Sequence, residues 1–177
     1  DTGAAQFTVR KAGFNALESA TVNGVPLVLP HADGGLEVSS GGALYTSALD
    51  GGSEVAIEEN GPLKAVIVAK GTATSASGGR SFLYTIRLYF YKGSSAVKAT
   101  ATLRNAALGG SAKTLDWAQL RIPLALSGVR TAKFSVDGGT MKSGSLAGGQ
   151  TAWLYQGKPS MMYHSNTDRI AGALTGD

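Results

Sequence analysis

Leu63-Lys-Ala-Val-Ile-Val-Ala-Lys-Gly-Thr-Ala-Thr74, then Phe82-Leu-Tyr-Thr-Ile-Arg-Leu-Tyr-Phe-Tyr91, then Ala96-Val-Lys-Ala-Thr-Ala-Thr-Leu-Arg104 are the three runs that decide the fold. Each is rich in β-branched or aromatic residues, and the second and third alternate at period two, the mark of a strand with two unlike faces. Phe82, Tyr84, Ile86, Leu88 and Phe90 fall on one face of the second run. Leu83, Thr85, Arg87, Tyr89 and Tyr91 fall on the other. Val97, Ala99, Ala101 and Leu103 share one face of the third. Ser75-Ala-Ser-Gly-Gly79 and Lys92-Gly-Ser-Ser95 are short turns between the runs, so the three strands form a meander. Ser53 to Glu59, alternating through Val55 and Ile57 and closed by Asn60-Gly61-Pro62, adds a strand ahead of it.

The same grammar extends outward in both directions. Phe7 and Val9 alternate with polar neighbours. Asn23-Gly24 lies between Ala20-Thr-Val22 and Val25-Pro-Leu-Val-Leu29, and Asn-Gly supplies the two positive-φ positions of a type I′ hairpin turn. Pro26 has no N–H to give a ladder, so its strand belongs at an edge or begins just after it. Leu36-Glu-Val38 and Leu44-Tyr-Thr46 are short strands around Gly41-Gly42. Beyond Asn105, Leu108 to Lys113 reads as a loop and Trp117 to Leu126 as a buried strand broken by Pro123. A hairpin is expected around Asp137-Gly-Gly139, with strands from Thr131 to Val136 and near Met141. Ala152 to Gln156 is a further strand, with Met161-Met-Tyr163 as a candidate partner. Asp168 to Asp177 reads as a tail without a clear stop. Only Asn15 to Ala20 could hold a helical turn. About a dozen strands with turns spaced about 8–12 residues apart predict an all-β chain, an antiparallel barrel or sandwich built on a long-stranded meander with little helix. Val66, Val68, Ile86, Leu88, Val97 and Leu103 are its expected core residues, and Trp117 and Trp153 are expected to be core as well.

The 177 residues suit one β domain spanning 1–177. Its 25 glycines and a charged fraction of only 16% give a surface of small neutral side chains, as in extracellular bacterial β-proteins. There is no cysteine, which removes disulfides and thiolate metal sites. The net charge of +4 is carried by scattered residues, with Arg10-Lys11 the one adjacent basic pair, so no nucleic-acid footprint is present. Apolar runs such as Ala65 to Ala69 and Ile122 to Leu126 are far too short to span a membrane. The chain opens at Asp1 without a methionine, which reads as a mature or excised segment, a module of a larger protein.

No catalytic template fits. The two histidines, His31 and His164, are remote from each other in sequence. His31 with Asp33 is the best hint of a metal, but a divalent ion needs three or four convergent ligands, and a loop role is the plainer reading of both histidines. Glu58 and Glu59 are adjacent in a strand and point to opposite faces, so they cannot flank one glycosidic bond. The Gly-Gly pairs lack the helix that a phosphate cradle needs. No catalytic residue, cofactor site or metal site is therefore expected, and no cofactor. Tyr89 and Tyr91 are the candidate ligand-stacking residues, since exposed aromatic faces stack on sugars. The competing reading is that their face is covered by a neighbouring strand or domain.

Asp1-Thr-Gly-Ala-Ala-Gln-Phe-Thr-Val9, Tyr45-Thr-Ser-Ala-Leu-Asp50, Glu58-Glu-Asn-Gly-Pro-Leu-Lys-Ala-Val66 and Tyr84-Thr-Ile-Arg-Leu-Tyr-Phe-Tyr-Lys-Gly-Ser94 follow one another in an order and spacing that resembles the N-terminal β-barrel domain of the exo-rhamnogalacturonan lyase-like (YetA-like) bacterial proteins. The resemblance spans residues 1–126. It implies a module of large secreted or surface proteins that handle pectin-type polysaccharide, with the catalytic residues on other domains. The expected function is thus a non-catalytic scaffold or docking domain of an extracellular, carbohydrate-associated protein. Its expected partners are neighbouring domains, copies of itself, or polysaccharide. The alternative is a structural subunit of an extracellular filament or surface layer, since β edges template pairing between copies.

Overall fold

The computed structural model describes residues 1–105, 113–127, 130–135, 141–146, 150–156 and 170–176. Among them every regular element is a strand. In chain order these are β1 (Ala5–Thr8), β2 (Ser19–Val22), β3 (Val25–Val28), β4 (Gly35–Ser40), β5 (Ala43–Thr46), β6 (Glu54–Asn60) and β7 (Lys64–Ser75). They continue as β8 (Arg80–Tyr91), β9 (Val97–Arg104), β10 (Trp117–Arg121), β11 (Arg130–Ser135), β12 (Met141–Leu146), β13 (Gln150–Gln156) and β14 (Ile170–Gly176). The chain divides into two compact units, Asp1–Ala125 and Leu126–Asp177.

The first unit holds a curled antiparallel sheet in the order β10-β4-β5-β7-β8-β9, with β6 also on β7. The meander read from the sequence is its spine: β7 pairs with β8 from Lys64↔Tyr91 to Thr74↔Arg80, and β8 with β9 from Leu83↔Arg104 to Phe90↔Val97. One edge of β7 is shared by two partners. β6 takes Ala65 to Lys70 and β5 takes Thr74 and Ser75, which leaves a gap in the ladder around Thr72. A three-stranded sheet, β1-β2-β3, is the second layer. The turn at Asn23-Gly24 has φ of 49° and 79°, and Gly41-Gly42 has 58° and 78°, as primed two-residue turns require. Pro26 lies inside β3, an edge strand, where its missing N–H costs no ladder bond.

Register decides which residues face the core. Ile67, Ala69 and the alternate residues Phe82 to Phe90 of β8 share the inner face, where Phe14, Ala16, Leu17, Leu36 and Val38 pack against them. Phe7 of β1 meets Phe90 with ring centroids 5.2 Å apart, tying the small sheet to the large one. Val66 and Val68 are buried as expected, but they pair with Tyr89 and Arg87 and so lie on the opposite face from Ile86 and Leu88. Val97 and Leu103 pack against the core only half-buried, and Ala99 and Ala101 between them are exposed, because β9 is an edge strand. Trp117 is corrected from core to surface: it is 45% exposed on β10, the other edge of the sheet. Asn15 to Ala20 forms no helical turn but a buried loop leading into β2.

In the second unit β11 pairs with β12, as the Asp137-Gly-Gly139 reading anticipated, and β13 pairs with β14 from Gln150↔Gly176 to Gln156↔Ile170. Ile170–Gly176 is therefore strand rather than tail. Alternation was weak there because Ala171, Gly172 and Ala173 carry almost no side-chain signal. Met161-Met-Tyr163, His164 and the side chain of Trp153 lie outside the described residues.

Candidate functional site

A groove of about 430 Å³ opens at the end of the long hairpin, where the β6–β7 turn, the last residues of β8 and the amino-terminal loop meet. Its floor is Phe7, Ile67 and Phe90, and its walls are Leu63, Pro62 and Tyr91. Leu63 is 70% and Tyr91 40% exposed. Asn60, Lys64 and Lys92 stand among the lining residues. The loops are held in place by backbone bonds: Lys92 N–H donates to Leu63 O (2.9 Å), Gly93 N–H to Thr2 O (2.7 Å) and Gly61 N–H to Lys64 O (2.8 Å). The single Thr2 Oγ1 proton has Ala5 O (3.1 Å) and Ser94 O (2.8 Å) within reach. A groove fixed this way is preformed, and its size falls in the range of ligand pockets, about 300–1,000 Å³.

Of the two tyrosines singled out from the sequence, Tyr91 lines this groove and Tyr89 does not. Tyr89 is half-buried on the outer face, with Lys98 Nζ 5.4 Å from its ring centroid. That face is further covered by a bidentate pair, Arg87 Nε to Glu58 Oε2 (2.6 Å) and Arg87 Nη2 to Glu58 Oε1 (2.8 Å). The guanidinium holds the Glu58 carboxyl below its ordinary range. Glu59 instead pairs with Lys64 at 2.9 Å. The two neighbouring carboxylates thus serve different cations. Leu63 and Lys92 were missed as site residues; the available signal was a leucine directly after the Asn60-Gly61-Pro62 turn.

One buried carboxylate of this unit is enclosed by donors from four residues. Asp50 is fully buried and fills the ladder gap on β7. Thr72 N–H donates to its Oδ2 (2.8 Å), as does Tyr84 Oη (3.1 Å), while Gly52 N–H and Arg80 Nη2 donate to Oδ1 (both 3.2 Å). Gly71 makes room for it: a Cβ there would lie 2.6 Å from Tyr84 Oη and closer still to Asp50 Oδ2. Burial, and then the Asp50 charge, push the Tyr84 phenol pKa well up. Both carboxylate oxygens are thus occupied by donors of the fold.

His31 is likewise engaged. Its Nε2 faces Leu17 O at 2.9 Å and its Nδ1 faces Asp33 O, so both ring nitrogens meet backbone carbonyls rather than open space. Arg10 Nη2 and Asn15 Nδ2 both donate to His31 O, and both also reach Glu18 Oε2. The Arg10 hydrogen bond lowers the Glu18 pKa. Arg121 pairs with Asp33 (2.9 Å) and Glu37 (3.4 Å). These contacts pin the loops before β2 and β4 to the sheet. Among the described residues no three potential metal ligands converge.

The model of the PcRGLX-like protein central beta sandwich domain matches residues 1–106. The chain belongs to this family. The PcRGLX-like central sandwich is a rhamnogalacturonan lyase-like domain, which agrees with the family that the sequence resembled and corrects its position: central rather than N-terminal. The sandwich label also fits the two layers, since β1-β2-β3 contributes Phe7 to the core beneath the curled sheet. The match ends just after β9, the last strand of the meander. No curated protein and no solved structure matches the chain.

Proposed function

We propose that this PcRGLX-like sandwich is a non-catalytic scaffold or docking domain of a secreted or surface protein that handles rhamnogalacturonan, with the chemistry carried by other domains. The observation that carries the reading is that the fold itself occupies the Asp50 carboxylate and the His31 ring. Lyase chemistry needs a base positioned to take the proton α to a carboxylate and a cation to neutralise that carboxylate. Asp50 is saturated by four donors beneath the sheet, and the His31 ring bridges two carbonyls. Asp50 fastens its loop to β7 and β8, and His31 fastens its loop to the one before β2. The groove beside Tyr91 supports the docking part, since it is preformed, partly apolar and open to solvent. Incubating the purified chain with rhamnogalacturonan tests the reading: no new reducing ends should form, and sustained turnover overturns it.

A further inference from the structure

We propose that copies of this chain join side by side through two free strand edges, β6 of one copy against β9 of the next. Within one copy the run β6-β7-β8-β9 is antiparallel at every step. Among the described residues no strand pairs with the outer edge of β6 or of β9. Both therefore present unpaired N–H and C=O groups of the kind that another chain can join. Strands that alternate in direction along this run leave β6 and β9 pointing opposite ways. A second copy set alongside the first thus meets it as an antiparallel pair, with the inner faces on the same side.

The two edges differ in charge. β6 carries Glu54, Glu58 and Glu59 and no cation, whereas β9 carries Lys98 and Arg104 and no carboxylate. Part of this charge is spent within the copy. Glu58 serves Arg87, Glu59 serves Lys64, and Lys98 lies over the Tyr89 ring. Glu54 and Arg104 are exposed, and neither has an ion-pair partner among the described residues. Placing Glu54 opposite Arg104 of the second copy fixes the register. Val55 then faces Leu103, and Ile57 faces Ala101. All of these are inner-face residues, since Val55 and Ile57 pair with Ala69 and Ile67, and Leu103 and Ala101 pair with Tyr84 and Ile86. Ile57 is 66% exposed and Ala101 is exposed as well, so the joint brings together apolar side chains that each copy leaves in solvent. β6 against β6 would gather only carboxylates, and β9 against β9 only cations. A contact between unlike edges repeats from copy to copy and forms an open chain rather than a closed dimer. The bulge between Ile57 and Glu59 ends the paired run. The contact is therefore well below the roughly 1,200 Å² of a stable specific interface, and assembly belongs to high protein concentration.

The experiment is analytical ultracentrifugation of the full chain over a concentration series, with negative-stain microscopy of the concentrated sample. Mass should grow with concentration past the dimer, and added salt should reduce it. Glu54→Arg and Arg104→Glu should each weaken association about five- to tenfold, as an attraction becomes a repulsion. Both should melt with the wild type, because both residues are exposed. Mixing the two variants should restore assembly, since each supplies the edge that the other lacks. A mixture that stays monomeric overturns the pairing. So does a wild type that is monomeric at every concentration, a closed dimer, or assembly that both substitutions leave intact. None of these outcomes touches the scaffold reading, which fails on polysaccharide turnover.

Discussion

Replacing Gly71 by alanine probes the buried Asp50 carboxylate that fills a gap in the β7 ladder. The new methyl would stand 2.6 Å from Tyr84 Oη and 2.8 Å from Tyr84 Cζ, with Asp50 Oδ2 nearer still. None of these can swing aside cheaply. Tyr84 is packed on the inner face and Asp50 is fully buried. The Thr72 and Tyr84 bonds to Oδ2 must stretch or break, and a hydrogen bond to a charged group contributes about 1.5–3 kcal/mol net. Partial loss of both, together with about 1–3 kcal/mol for overpacking, gives an expected destabilisation of about 3–5 kcal/mol. That is a large share of the roughly 5–15 kcal/mol that holds a domain together. Urea unfolding of Gly71→Ala against wild type measures it, with Gly51→Ala as control. A Cβ at Gly51 meets nothing within 4 Å, so the control should stay within about 0.5 kcal/mol. A Gly71→Ala protein within about 1 kcal/mol of wild type would refute the argument that Asp50 needs this glycine.

Further expectations follow from the same register and packing. Leu88→Ala should cost about 2–5 kcal/mol in urea unfolding, since Leu88 is buried on the inner face; a loss under about 1 kcal/mol would mean that this face does not form the core. Trp117→Ala should cost clearly less than Leu88→Ala despite the larger truncation, because Trp117 is an exposed edge residue. Tyr84 keeps its phenol proton in the fold to higher pH than in the unfolded chain. Its contribution is therefore full below about pH 10, the unfolded value, and is lost progressively as pH rises from there through the raised folded-state pKa. Tyr84→Phe should be less stable than wild type at neutral pH, with a stability that falls less steeply above about pH 10, as thermal melts across that range will show.

Much of the fold is written in local pattern. Asn23-Gly24 and Gly41-Gly42 announce their hairpins because few other pairs tolerate two successive positive-φ positions, and the length of β7 and β8 leaves no doubt about alternation. What alternation leaves open on β7 is which side is inside. Both of its faces are apolar, with Ala65, Ile67 and Ala69 on one and Val66 and Val68 on the other, and only the partner strands settle the choice. Trp117 misleads for a related reason: an apolar run shows a strand but not whether that strand ends a sheet. The site was less legible than the fold. Asp50, Gly71 and Tyr84 come from three separate segments, with Asp50 and Tyr84 34 residues apart, and no pattern links a buried carboxylate to the glycine that admits it. The groove draws on three loops, of which the sequence reading marked only Tyr91.

The proposal that this sandwich supports chemistry done elsewhere is tested most sharply by a time course of the purified chain with rhamnogalacturonan. Ultraviolet absorbance would follow unsaturated uronate ends, and a reducing-sugar assay would follow hydrolysis, alongside His31→Ala and Asp50→Asn variants. The wild type should stay at the level of the polymer alone in both assays, and the variants should differ from it in melting temperature only. Product that accumulates with the wild type and disappears with His31→Ala, in a variant that still folds, would place an active site on this chain and contradict the reading.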